Sequence, residues 1–474
     1  MLFNSALFLF FFPCVAAFLY ATPAQLRWVT LLVASMLFYA SWDYRYLVII
    51  FAIAAVAYVY GHACRHLDGK PARWALASAI ILILLPLIFF KYVNFILGNL
   101  APAFNAFGAA APGPISSLIL PLGISFYTFQ LLSYCLDIHA GRYKPNESFG
   151  KLLLYPMYFP HQIAGPIMRP AQLMPQFEAP PTPPYEAMIS GLRLFLWGLF
   201  KKVFVADRLA VFVDAVYAAP DRYRGLGCVL AFYFFAFQIY CDFSGYTDMA
   251  LGASRILGIE LCENFRQPYF AASLREFWTR WHISLSTWMR DYLYIPLGGN
   301  RLGPGRWAAA ILAVFALSGL WHGASWTFVL WGLYHGALLV IERATQWLLR
   351  PHTRAALQGS IGRVVAIIAT FHLTGVGWIL FRAPNLPTAT AMLTNLTRAG
   401  GRDITEIMSR GQLQLAAIGI AVVLGFDLLA ELGLAGVFPR MPLPLRWAIY
   451  YAAIFAVLLF PGSSEIRTFI YFQF

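Results

Sequence analysis

Two histidines stand where ionisable side chains are costly. The stretch SGLWHGASWTFVLWGLYHG, residues 318–336, is apolar enough for a membrane interior yet carries His322 and His335. Lipid solvates an imidazole poorly, so a histidine at that depth is a functional candidate by default. His322 is flanked by Trp321 and Gly323 at a break between two apolar runs, and Ser318 lies one turn earlier on the same helix face. Burial among Trp and Leu favours the neutral imidazole, which accepts a proton. Such a base can take the proton of a hydroxyl while its oxygen attacks an acyl group. Glycine at 323 permits close approach of a ligand or of another backbone. A second histidine, His282, falls on the polar side of REFWTRWHISLSTWMR (275–290), close to Arg280. Its open roles are substrate binding, carbonyl polarisation or a hydrogen bond at an interface. His335 would face well away from His322 on an uninterrupted helix and reads as structural.

The remaining titratable groups suggest less. His161 and His372 read as structural, and His62, His66, His139 and His352 lie beside charged loop residues, where water reaches them. No HExxH is present and no His pair is flanked by carboxylates, so no metal is expected. The phosphate-cradling GxxxxGK[ST] loop, the dinucleotide GxGxxG with its acidic partner and the GxSxG elbow are also missing. The six cysteines have no ligand spacing and read as packing residues. One acidic pair, Asp242 and Asp248 in QIYCDFSGYTDMALG, has two readings. It could hold a coupling ion in a transporter, or fix Ser244 and Tyr246 through buried hydrogen bonds.

What positions these groups is a membrane fold. Charged residues make up only 12% of the 474-residue chain and hydrophobic ones 60%, where soluble domains carry roughly 25% charge. The pattern predicts an all-α polytopic membrane protein with about eleven to thirteen spanning or re-entrant helices, at roughly 20 residues per span. The segments lie near 5–21, 26–41, 46–61, 74–99, 116–136, 186–206, 226–250, 307–321, 324–345, 362–381, 412–434 and 445–461. YPMYFPHQIAGPIMRP (155–170) is too proline-rich to span and reads as re-entrant. The first apolar run has no Lys or Arg before it, which favours a transmembrane helix over a cleaved signal. The absence of a fixed-period repeat weakens an inverted-repeat transporter. The net charge of +13 is assigned to cytoplasmic loops meeting anionic lipid, at Arg65–Arg73, Lys201/Lys202 and Arg266–Arg306, with no nucleic-acid partner. The least lipid-like segment, 260–306, holds residues that pattern as one amphipathic helix over 273–290. Glu276 and Arg280 pair on it, and Thr279, His282 and Ser286 share its polar face.

Three blocks in this order and spacing, YCDFSGYTDMALG, NFRQPYFAASLREFWTRWHISLSTWMRDYLYIPLGGNR and LSGLWHGASWTFVLWGLYHG, resemble the membrane-bound O-acyltransferase family. LPLGISFYTFQLLSYCLDIHAGR (120–142), YFPHQIAGPIMR (158–169) and the N-terminal LFLFFFPCVAAFLY extend the likeness over most of the chain, within the bacterial branch of alginate O-acetylation and teichoic-acid D-alanylation. The resemblance implies a single polytopic domain over 1–474, with a core at about 115–385 and further helices at 386–474. It also implies a ring of helices around a thinned centre, with a funnel from each side. In that pattern His322 is the catalytic histidine and His282 the second polar site position, while Trp321, Trp278, Arg280 and Asn264 are lining candidates. The implied reaction moves an acetyl group from acetyl-CoA or another acyl thioester, with no bound cofactor, toward an exported polysaccharide. Membrane lipids and periplasmic polysaccharide-acetylation proteins are the implied partners, and the bacterial inner membrane the implied location. D-alanyl transfer to teichoic acid is the alternative, and an ion-coupled transporter the more distant one.

Overall fold

The computed structural model describes all residues except 111–112, 116–117, 164, 302, 349–358, 435, 463–466 and 471–474, so His352 lies outside the described residues. Helices follow one another through the chain, and among the described residues there is no strand. An unpaired backbone amide in lipid costs several kcal/mol, so a chain this apolar must close its hydrogen bonds within each helix. Among the described residues, six stretches are long and apolar enough to cross a membrane: Ala24–Ala63, Gly69–Ala106, Leu226–Ile256, Pro304–His322, Ser360–Arg382 and Arg410–Glu431. Ala6–Ala21 and Leu443–Leu459 are shorter apolar helices. The chain is a multi-pass membrane protein.

The chain packs as two compact units. One comprises Met1–Leu192 with Ala250–Cys262. It contains the paired helices Arg27–Asp43 and Leu47–Ala63, the proline-containing Gly69–Leu87 and the buried Ile124–His139. The span expected from residue 116 starts as a helix only at Ile124. Gly123 turns the chain there with a φ of 70°, and a Cβ on it would lie 2.5 Å from the Gln162 carbonyl oxygen. The proline-rich stretch after it forms only short helices, Phe149–Met157, Phe159–Gln162 and Pro170–Leu173, as a non-spanning segment should.

The second unit comprises Arg193–Met249 with Glu263–Phe474 and carries every candidate site residue. Its centre is an antiparallel pair, Pro304–His322 and Trp326–Leu348. Lipid gives helices no hydrophobic reason to associate, so they pack through small residues that let backbones touch. The glycines of the quoted stretch serve that purpose. A Cβ on Gly319 would sit 2.1 Å from the Phe328 carbonyl oxygen, and one on Gly332 would sit 2.1 Å from that of Phe315.

Two expectations for this unit need correction. Residues 273–290 do not form one amphipathic helix. The helix Leu274–Arg280 stops, Trp281 is extended, His282 turns left-handed, and a new helix runs Ile283–Met289. Thr279, His282 and Ser286 therefore share no continuous helix face, although the Glu276–Arg280 pair does form at 2.6 Å. Lys201 and Lys202 are also not loop residues. They lie buried in the helical turn Phe200–Ala206, where Lys201 pairs with Asp248 at 2.7 Å and Lys202 with Asp242 and Asp207 at 2.6 and 2.8 Å. Both aspartates of the acidic motif are thus engaged by lysines, Lys202 being shared with Asp207, so neither is laid out as a ligand for a coupling ion. Lys201 also donates to Ser244 at 2.9 Å.

Candidate functional site

His322 is the last residue of helix Pro304–His322 and is 4% exposed. The chain then extends through Gly323, where a Cβ would fall 2.1 Å from the Phe328 ring. Glycine at this point therefore lets a side chain of the next helix, and not a ligand, lie against the backbone beside His322. Rings enclose the imidazole: centroids of Trp321, Trp331 and Phe381 lie 4.9, 5.1 and 5.3 Å away, all edge-on.

His282 reaches the same place from a different segment. Its φ of 44° is left-handed, which is rare for a residue with a Cβ and costs about 1–3 kcal/mol. A set of hydrogen bonds sustains that turn. Asn264 accepts through its Oδ1 from the Ser284 amide at 3.1 Å and the Ser284 hydroxyl at 2.8 Å, and its carbonyl accepts from the Ile283 amide at 2.9 Å. The Arg266 amide donates to the Arg280 carbonyl at 2.9 Å. The result presents the His282 ring 6.2 Å from that of His322, 6.0 Å from Trp321 and 4.7 Å from Phe243. Burial drives the His282 pKa down to about 3, so the ring is neutral at physiological pH.

A cavity of about 440 Å³, within the range of small-molecule pockets, is lined by sequence neighbours of this pair though by neither histidine. Ser318 lies on its wall one turn before His322, as do Ile283, next to His282, and Trp278. Farther round the wall are Arg275, Arg290 and Tyr294, and both arginines are exposed. Arg290 is paired with Asp291 at 2.8 Å, so the cavity joins an apolar interior to a charged part of its wall.

The six residues singled out in the sequence separate into three groups. His282, His322 and Trp321 meet directly. Trp278 belongs to the cavity wall and contacts Trp331 and His335 at 5.8 and 5.1 Å. Asn264 and Arg280 are instead tied into the backbone frame. Arg280 forms a two-pronged pair with Glu431, 2.7 and 3.1 Å, and a pair with Glu276, while Arg363 also reaches Glu431 at 2.9 Å. His335 is fully buried against Gly377, where a Cβ would lie 2.4 Å from its Nε2. His372 bridges the Tyr233 hydroxyl and the Ile368 carbonyl, an ordinary structural arrangement. Among the described residues, no three His, Cys, Asp or Glu side chains converge as a metal site would.

Sequence reasoning missed Trp331, Phe381 and Phe243 as walls of the site. Trp331 stands four residues before His335, a helical spacing that was visible, whereas Phe381 and Phe243 come from distant segments with no local signal.

Comparison with known proteins places the chain in a family. Residues 146–380 match the model of the membrane-bound O-acyltransferase family. The chain is 38% identical to a probable alginate O-acetylase of Azotobacter vinelandii, over 90% of this chain and 83% of that one. A probable alginate O-acetylase of Pseudomonas putida is 35% identical, with 100% of each chain covered. A peptidoglycan O-acetyltransferase of Helicobacter pylori is 34% identical over 86% of this chain and 82% of its own.

Proposed function

Because this chain belongs to the membrane-bound O-acyltransferase family, we propose that it moves an acetyl group from a cytoplasmic thioester donor across the bacterial inner membrane, for O-acetylation of an exported, alginate-like polysaccharide. The observation that carries this reading is the His282–His322 pair, 6.2 Å apart among aromatic rings, with neighbours of both on the wall of a cavity that also bears Arg275 and Arg290. Relatives named as acetylases of a polysaccharide or of peptidoglycan support acetyl as the group.

In the proposed reaction His322 takes the proton of the acceptor hydroxyl as its oxygen attacks the thioester carbonyl. The new C–O bond forms, the C–S bond breaks, and the proton passes from His322 to the departing thiolate. No net proton is consumed. His282, neutral through burial, positions the donor or acceptor or donates a hydrogen bond to the carbonyl oxygen as charge builds there. Trp321 and Trp278 line the path. Asn264 and Arg280 act one step away, by fixing the left-handed turn and the segment that carries it. Arg275 and Arg290 attract the phosphates of acetyl-CoA or a similar donor, in competition with anionic lipid. Periplasmic acetylation proteins receive the group or complete its transfer.

The test is acyl transfer in membrane vesicles of known orientation, with labelled acetyl-CoA supplied on the cytoplasmic side. Labelled ester on a polysaccharide or carrier acceptor supports the reading. Transfer of D-alanyl from a carrier thioester, with none from acetyl-CoA, would replace it by the D-alanylation alternative.

A further inference from the structure

We infer that the segment 467–470 is part of the catalytic chamber, with Phe469 and Phe243 as positioning residues for His282. Phe243 touches His282 ring to ring at 4.7 Å, and Phe469 lies against Phe243 at 5.4 Å. Phe469 also meets Tyr246 at 5.2 Å and is 1% exposed. The shell of the site is thus closed by a residue more than two hundred positions along the chain from Phe243.

The segment is held by charge as well as by packing. Asp242 receives the Lys202 ammonium on one carboxylate oxygen at 2.6 Å and the Ile470 amide on the other at 2.8 Å. Lys202 donates in turn to the Thr468 carbonyl at 3.4 Å. Arg467 binds Asp214 at 2.5 Å, and Arg382 holds the same carboxylate at 2.6 Å. Upstream, Arg208 donates to the Phe460 carbonyl at 2.7 Å, and the Gly462 amide donates to the Val203 carbonyl at 3.0 Å. A buried ion pair adds little net stability over apolar packing, but it fixes one arrangement over others. Here the arrangement fixed is the one that seats Phe469. Lys202 and Asp242 thereby acquire a role: they anchor residues 468–470 against the ring that backs His282.

His282 sits in a strained turn, so a ring packed against it in a T-shaped contact limits its alternatives. A displacement of about 1 Å at such a group costs up to about 10²-fold in rate. The inference rests on the reading of His282 as a site residue, so the experiment includes His282→Ala as reference. Full-length Phe469→Ala, Phe243→Ala, the double variant and Phe469→Leu are compared at equal membrane abundance. Expected is a fall of about tenfold or more in kcat for each single alanine variant, with donor KM changed less than about twofold. The double variant falls no further than the worse single, because both act through one ring, and Phe469→Leu recovers most of the rate. Loss in His282→Ala combined with full kcat in Phe469→Ala would overturn this inference and leave the site reading intact. Full activity in His282→Ala would remove the site reading itself, and the inference with it. Multiplicative losses in the double variant, or losses that follow only the thermal stability of each protein, would also overturn it.

Discussion

His282 and His322 face each other at 6.2 Å although one closes a left-handed turn and the other ends a membrane helix. Neither segment alone makes a site. The helix ends at His322 because Gly323 must clear Phe328, and the turn at His282 exists because Asn264 ties down the residues that follow it.

Gly323→Ala tests the first of these supports. Its new Cβ would overlap the Phe328 ring, and such overpacking costs about 1–3 kcal/mol. The variant is expected to insert with a lower unfolding midpoint and with kcat reduced more than tenfold, by about 1 Å of displacement at His322. Gly303→Ala, where a Cβ meets nothing within 4 Å, is the control and should behave as native. Unfolding midpoints in detergent and initial rates report both effects.

Asn264→Ala tests the second. It strips the acceptor from the Ser284 amide and hydroxyl, each buried, for a loss of about 1–3 kcal/mol. Activity should fall through kcat with donor KM nearly unchanged, because Asn264 faces the backbone of the turn. A large rise in KM alone would assign it to substrate contact instead.

Arg280→Ala and Glu431→Ala should resemble each other. Both break the same two-pronged pair between helix Leu274–Arg280 and helix Arg410–Glu431. Similar losses of thermal stability are expected from the two, with the double variant close to either single. Strict dependence on Arg280 with indifference to Glu431, measured as donor KM, would make Arg280 a ligand of the donor.

His282 supplies one defined part of the acid sensitivity. An unfolded histidine titrates near 6.5, whereas burial drives this one to about 3. As pH falls from 6.5 towards 3 the unfolded chain binds a proton that the folded chain refuses. Its contribution is fully present above pH 6.5 and declines below it, by at most about 1.4 kcal/mol per pH unit. His282→Asn, which also suits a left-handed backbone, should flatten the dependence of unfolding midpoint on pH in that window. An unchanged slope would show that the turn does not exclude the proton.

How much of this was legible in the sequence depends on where each signal lay. The membrane class followed from composition, and His322 stood out because an imidazole between Trp and Gly is costly in an apolar run. The Glu276–Arg280 pair followed from helical spacing. The break at His282 did not, because apolar periodicity continues across it and the cause, Asn264, lies in another segment. Lys201 and Lys202 looked like a cytoplasmic loop pair for the same reason: apart from Asp207, their aspartate partners Asp248 and Asp242 are forty or more residues away, beyond any local pattern. The part of Arg280 that sequence could not supply was Glu431, which turns a lining candidate into a clasp.

The most direct test of the central claim is the O-acetyl content of the cell's exported polysaccharide with His322→Ala in place of the native chain, at equal membrane abundance. A positioned general base contributes about 10² to 10⁴ in rate, so the account predicts near-complete loss of acetyl ester with normal insertion. Acetylation at the native level would contradict it and remove His322 from the transfer step.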